Sequence, residues 1–91
     1  MGIELDELIA LLMTNHEIEF SWNGSSYMIQ SEDGKFVMYQ FEPEMKYIYN
    51  GMGSVDNTIT NEMVLDLLKS DVLDGKSFID RVDELQVVAI Y

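Results

Sequence analysis

One dipeptide, Asn23-Gly24, constrains this chain more than any other feature, because it separates two alternating runs. Glu17 to Trp22 alternates strictly, which puts Ile18, Phe20 and Trp22 on one face of a strand. Ser25 to Ser31 follows at once. A two-residue type I′ turn needs positive φ at both central residues, and Asn-Gly meets that need at the least steric cost. Closing the hairpin there pairs Trp22 with Ser25, Phe20 with Tyr27, and Ile18 with Ile29. One face then carries Ile18, Phe20, Trp22, Tyr27 and Ile29. The other carries Glu17, Glu19, Ser21, Ser26, Met28 and Gln30. A slip of one residue would invert every one of these side chains, so turn chemistry and alternation have to agree, and here they do.

The rest of the chain is arranged around this hairpin. Glu32-Asp33-Gly34 is a second turn. A three-residue loop with Gly34 left-handed would pair Ile29 with Val37 and Tyr27 with Tyr39, keeping Val37, Tyr39 and Phe41 on the core face. A two-residue Asp33-Gly34 loop would put them outside, so the longer loop is expected. Pro43 ends the third strand, and Met45 to Tyr49 is a candidate fourth. Asn50 to Asn57 reads as a loop.

Ile3 to Met13 is expected to be a helix with Leu5, Leu8, Ile9 and Leu12 on one side. Thr60 should cap a second helix, Asn61 to Lys69, with Met63, Val64, Leu67 and Leu68 inward. Ser77 should cap a third, Phe78 to Glu84, with Asp80 reaching back to it. Leu85 to Tyr91 reads as a closing strand. The expected fold is α+β: an antiparallel three- or four-stranded meander plus a C-terminal strand. An N-terminal helix and two later helices should cover one face, and the acidic face should meet water.

All 91 residues fit a single domain, 1–91, and 47% of them are apolar. Mean hydropathy is −0.02, which favours a folded globule over a disordered chain. Cysteine is absent, so disulfides and thiolate chemistry are excluded. Acids outnumber bases 17 to 5, for a net charge of −12. That charge argues against direct binding to nucleic acid or to an anionic membrane. No apolar run approaches the roughly 18 residues of a membrane span. The N-terminus lacks a basic segment followed by an apolar stretch, so a cytoplasmic location is expected.

The run EIEFSWNGSSYMI, the later DGKSFIDRVDE and the short closing strand resemble a family of small, acidic, uncharacterised proteins of Gram-positive bacteria and their mobile elements. Such proteins combine a leading amphipathic helix, a hairpin of the EIEF-x-x-NGK-x-Y type and a D-G-K-S-hydrophobic segment near the end. This chain departs from that pattern at Ser25, where lysine would be expected. The family has no assigned activity, so the resemblance implies no functional residue.

Several motifs touch on known chemistry and fail on spacing. Gly75-Lys76-Ser77 looks like the end of a phosphate-binding loop, but the glycine needed five residues earlier is Ser70. Asp56, Thr58 and Thr60 alternate as calcium ligands do, but the sixth and twelfth loop positions are Asn61 and Leu67. His16 is the only histidine; a nucleophile site would need Ser or Thr and an orienting acid near it in space, and in a helix-to-strand connection it is read as an exposed loop histidine. With 17 acids, some pair will always have glycosidase spacing, so such a pair carries no information. Leu8 to Leu12 matches an LxxLL pattern and is read as core. Met52, in the glycine-containing loop, is a candidate exposed contact, and Met28 projects from the acidic sheet face.

No cofactor or metal site and no catalytic group is therefore expected. The acids carry the functional expectation. Asp80, Asp83 and Glu84 stand at i, i+3 and i+4 of the expected third helix, where like charges oppose folding. Glu17 and Glu19 share the outer sheet face. These five residues are the candidate contacts for a protein partner with a basic surface. The expected role is a non-catalytic, acidic protein–protein interaction module. The alternative is an inhibitor, encoded by a phage or mobile element, that mimics nucleic acid and blocks the basic groove of a DNA- or RNA-binding protein.

Overall fold

The computed structural model describes residues 2–91. Strands β1 (Ile18–Trp22), β2 (Ser25–Glu32), β3 (Lys35–Glu42) and β4 (Lys46–Asn50) form an antiparallel meander. Strand β5 (Gln86–Ile90) returns to pair with β1, giving the order β4-β3-β2-β1-β5. Helices α1 (Leu5–Met13) and α2 (Asn61–Lys69) pack against one face of this sheet. The fold is α+β, with two helices and five antiparallel strands.

Three turns of the same type bend the chain. Asn23-Gly24, Asp33-Gly34 and Asp74-Gly75 each place two successive residues at positive φ, as a type I′ turn requires. The first sets the register expected for it, with Ile18 opposite Ile29 and Phe20 opposite Tyr27. The second corrects an expectation. Asp33-Gly34 closes as a two-residue turn with Glu32 opposite Lys35, so Ile29 faces Met38 and Tyr27 faces Gln40. Phe36 and Met38 therefore enter the core, while Val37, Tyr39 and Phe41 lie on the opposite face. The physical reason is that β3 is apolar at nearly every position, so either face could be buried and the turn decides.

The core lies between helices and sheet. It contains Leu8 and Leu12 of α1, Val64, Leu67 and Leu68 of α2, and Ile18, Phe20, Tyr27, Ile29, Phe36 and Met38 of the sheet. Phe20 is central, stacked on Tyr27 at 5.0 Å between ring centroids and met edge-on by Phe78 at 5.2 Å. Thr60 caps α2, its Oγ1 accepting from the Met63 amide at 3.3 Å.

The third expected helix is not formed. Ser77 and Asp80 make the reciprocal capping contacts: the Ser77 amide donates to Asp80 Oδ2 at 3.4 Å, and the Asp80 amide to Ser77 Oγ at 3.1 Å. The segment nevertheless continues only as turns and a single 3-10 turn, Val82–Glu84. Phe78 and Leu85 are both buried in the core and anchor it at either end.

Candidate interaction surface

Among the described residues, no helix covers the second face of the sheet. Alternation from the observed registers places Glu17, Glu19, Ser21, Met28, Gln30, Val37, Tyr39 and Tyr47 on it. The β3–β4 half is aromatic. Tyr39 lies 5.4 Å from Tyr47 and 6.5 Å from Phe41, centroid to centroid. Val37 is 1% exposed although no helix lies over it, so its neighbours on this face shield it. The β1 side is acidic. Partial burial, then the charges of Glu17, Tyr47 and Glu32, raise the Tyr39 phenol above its ordinary pKa. The Tyr39 hydroxyl donates to Gln30 Oε1 at 3.2 Å.

Glu17 and Glu19 are where the hairpin puts them, and β5 adds a partner to each. Glu17 and Tyr91 exchange two backbone hydrogen bonds of 3.2 and 2.9 Å. The Tyr91 hydroxyl donates to Glu19 Oε1 at 2.7 Å, and that carboxylate holds the phenol proton above its usual range. His16 Nδ1 lies 3.0 Å from the Tyr91 carbonyl oxygen, so the lone histidine helps seat the same strand.

Asp80, Asp83 and Glu84 are held differently, and two of the three make contacts that offset the like-charge repulsion expected of them. Asp80 caps Ser77, as described above. Glu84 pairs with Arg81 at 3.2 Å and accepts from Trp22 Nε1 at 3.3 Å. Arg81 is itself a hub. Its guanidinium sits 4.5 Å from the Trp22 ring centroid, and Nε and Nη2 donate to the carbonyls of Leu73 and Asp74 at 2.6 and 3.2 Å. Asp83 takes part in none of these contacts and faces solvent. Because Trp22 belongs to the helix-covered face, Glu84 lies on the side opposite Glu17 and Glu19. What the two groups share is β5: Val82–Glu84 leads directly into it, and Glu17 and Glu19 pair with its far end.

A separate cleft of about 380 Å³ opens between α2, β4 and the loop after β4. Phe36, Tyr49, Met52, Glu62, Met63 and Asp66 help line it. The Tyr49 hydroxyl donates to Asp66 Oδ2 at 2.9 Å. Burial, then that bond, push the phenol up to about 12, too high to trade a proton near neutral pH. Among the described residues, no group of three or more His, Asp or Glu is placed to hold a metal ion. Among the same residues, no helix is long and apolar enough to cross a membrane.

Sequence reasoning placed Glu17, Glu19, Met28 and Met52 correctly but missed the aromatic half of the open face. The signal was present in Asp33-Gly34, whose preferred two-residue turn sends Tyr39 and Phe41 to that side. No protein-family model matches the chain, and no curated protein or solved structure shows a significant match to it.

Proposed function

We propose that this protein is a non-catalytic interaction module whose carboxylates receive a protein partner with a basic surface. One observation carries the reading. Every Asp and Glu except Glu19 is exposed, and Arg81–Glu84 is the only ion pair among the described residues. The excess negative charge is thus left unneutralised by the fold and is available to an outside cation. Such complementarity acts mainly on the association rate, which becomes salt-sensitive. The open sheet face adds apolar and aromatic area beside the acids, as an interface core needs.

The test is retention of host proteins on the immobilised chain after nuclease treatment, compared with E17Q/E19Q/D80N/D83N/E84Q. These changes keep the hydrogen-bonding shapes and remove five charges. A basic protein held by the wild type, released by moderate salt and retained several-fold less by the variant is the expected result. Equal retention by both refutes the reading. Displacement of the captured protein by duplex DNA or RNA would instead favour the nucleic-acid mimic.

A further inference from the structure

The two edges of the sheet differ in a way that specifies how a partner would dock. Edge strands expose unpaired amide and carbonyl groups, and proteins usually guard them with charge, especially lysine. Strand β4 carries Lys46 on its edge. Strand β5, of sequence QVVAI, carries no charged side chain, and neither do its flanking residues Leu85 and Tyr91. Along it Val88 is 56%, Ile90 42% and Tyr91 60% exposed.

The backbone of this edge is available as well. In an antiparallel ladder, hydrogen-bonded and non-hydrogen-bonded pairs alternate. Since Glu17 and Tyr91 exchange both of their bonds, the neighbouring Ile18–Ile90 pair is non-hydrogen-bonded. The amide and carbonyl of Ile90 therefore point away from β1, toward the open edge. A register shift between Glu19 and Phe20 leaves Val88 as the extra residue of a bulge, so the regular part of this edge is Ala89 to Tyr91.

Carboxylates stand at both ends of the strand. Asp83 precedes it, and Glu17 with Glu19 flanks its last residues on β1. Five strand residues span roughly 17 Å. An uncharged, apolar pairing edge is thus bracketed by negative charge.

We infer that β5 is a β-augmentation site for an extended segment of a basic protein, with β-branched or apolar residues in the middle and a lysine or arginine near each end. The partner's main chain extends the sheet at Ile90, its apolar side chains meet Val88 and Ile90, and its cations reach Asp83 at one end and Glu17 at the other. Main-chain bonds supply affinity and the side chains supply selection. A second copy of this chain is disfavoured as occupant, because two bodies of net charge −12 repel each other. The inference rests on the proposed role as a module for a basic partner and deepens it.

The experiment uses two capped peptides of equal charge and the full chain labelled with 15N. One is Lys-Thr-Val-Thr-Val-Lys. The other has proline in place of both valines, so it cannot complete a ladder. At low salt the valine peptide should bind at least tenfold more tightly than the proline peptide. It should also slow hydrogen exchange of the Ile90 amide at least tenfold, with Val37 and Met38 unchanged. Ile90→Pro removes the outward amide without touching a β1 bond, and should abolish the preference while thermal unfolding shows the fold retained. Should that variant fail to fold, Val88→Lys, which puts a guarding charge on the same edge, must weaken the valine peptide at least fivefold. Equal binding of both peptides overturns edge pairing and leaves the basic-partner reading standing. No binding of either peptide overturns both. Protection of Ile90 that grows with protein concentration alone assigns the edge to a second copy and also overturns the inference.

Discussion

Gly34 and Gly24 occupy the same position in two turns of the same type, and changing each to alanine should have very different consequences. Gly24 has φ +80° and nothing within 4 Å of where a Cβ would stand. Gly34 has φ +76°, and its Cβ would fall 2.4 Å from the Asn57 Cα and 2.9 Å from the Asn57 carbonyl carbon. Both substitutions incur the left-handed backbone cost, about 1–2 kcal/mol. Only Gly34→Ala adds a clash, and the obstructing atoms are backbone, so no rotamer change relieves it. Overpacking of that kind costs about 1–3 kcal/mol. Gly34→Ala should therefore be less stable than Gly24→Ala by about 1–3 kcal/mol. Urea titration followed by Trp22 fluorescence measures this directly. With a slope of about 1 kcal/mol/M, the two midpoints should differ by about 1–3 M. Gly75→Ala, at φ +83° and in open space, should behave like Gly24→Ala. Midpoints for Gly34→Ala and Gly24→Ala within about 0.3 M of each other would refute the packing of the 51–59 loop onto the second turn.

Two further outcomes follow from charge and burial. Raising ionic strength from near zero to about 0.15 M, where the Debye length is about 8 Å, should stabilise the fold, since one ion pair is weakened while many repulsions are relieved. A gain of about 1 kcal/mol raises Tm by about 4–8 °C in calorimetry, and a falling Tm would mean that favourable pairs dominate. Tyr49 should ionise near pH 12 in the 295 nm absorbance titration, against 10.0 for an ordinary phenol. Because the folded pKa is the higher one, its contribution is complete below pH 10 and is lost as pH rises through 12. Two units correspond to about 2.7 kcal/mol, reduced to about 1 kcal/mol for a phenol this open to solvent. The stability gap between wild type and Tyr49→Phe should narrow over that interval, and a constant gap would refute the assignment.

The elements that could be read from the sequence are those where two independent signals coincide. The first hairpin joins a turn dipeptide to strict alternation, and its register is correct to the residue. Helix α2 joins a threonine cap to apolar spacing, and its bounds are as expected. The errors fall where one signal stood alone. In β3, the run FVMYQF is apolar on both sides, so period two could not choose a face. In 77–85, a capping pair is real, but a cap fixes only where a turn begins. Continuation needs repeated apolar contacts, and here Phe78 and Leu85 are buried at the two ends while Ile79 only packs against the core's margin. The candidate surface divides in the same way. Glu17 and Glu19 followed from alternation. The tertiary contacts of Glu84 with Trp22 and the approach of β5 to β1 depend on residues more than sixty positions apart, which no local pattern encodes.

That long return has a consequence for how the molecule is assembled. The four meander strands can zip together through short local connections, each close to its neighbour along the chain. Strand β5 has to find β1 across 72 residues, the separation of Tyr91 from Glu19. Loop closure over that distance costs about 3 kcal/mol more entropy than a two-residue turn, so this pairing should form late. Until it does, β1 is itself a bare edge with Ile18 and Phe20 incompletely buried. Synthesis prolongs this state, because β5 is made only after every other element of the sheet. A nascent or truncated chain ending before Gln86 thus presents a sticky intermediate whose open edge invites the β5 of a neighbouring molecule. Strand exchange between chains is the misassembly to which this topology is most exposed.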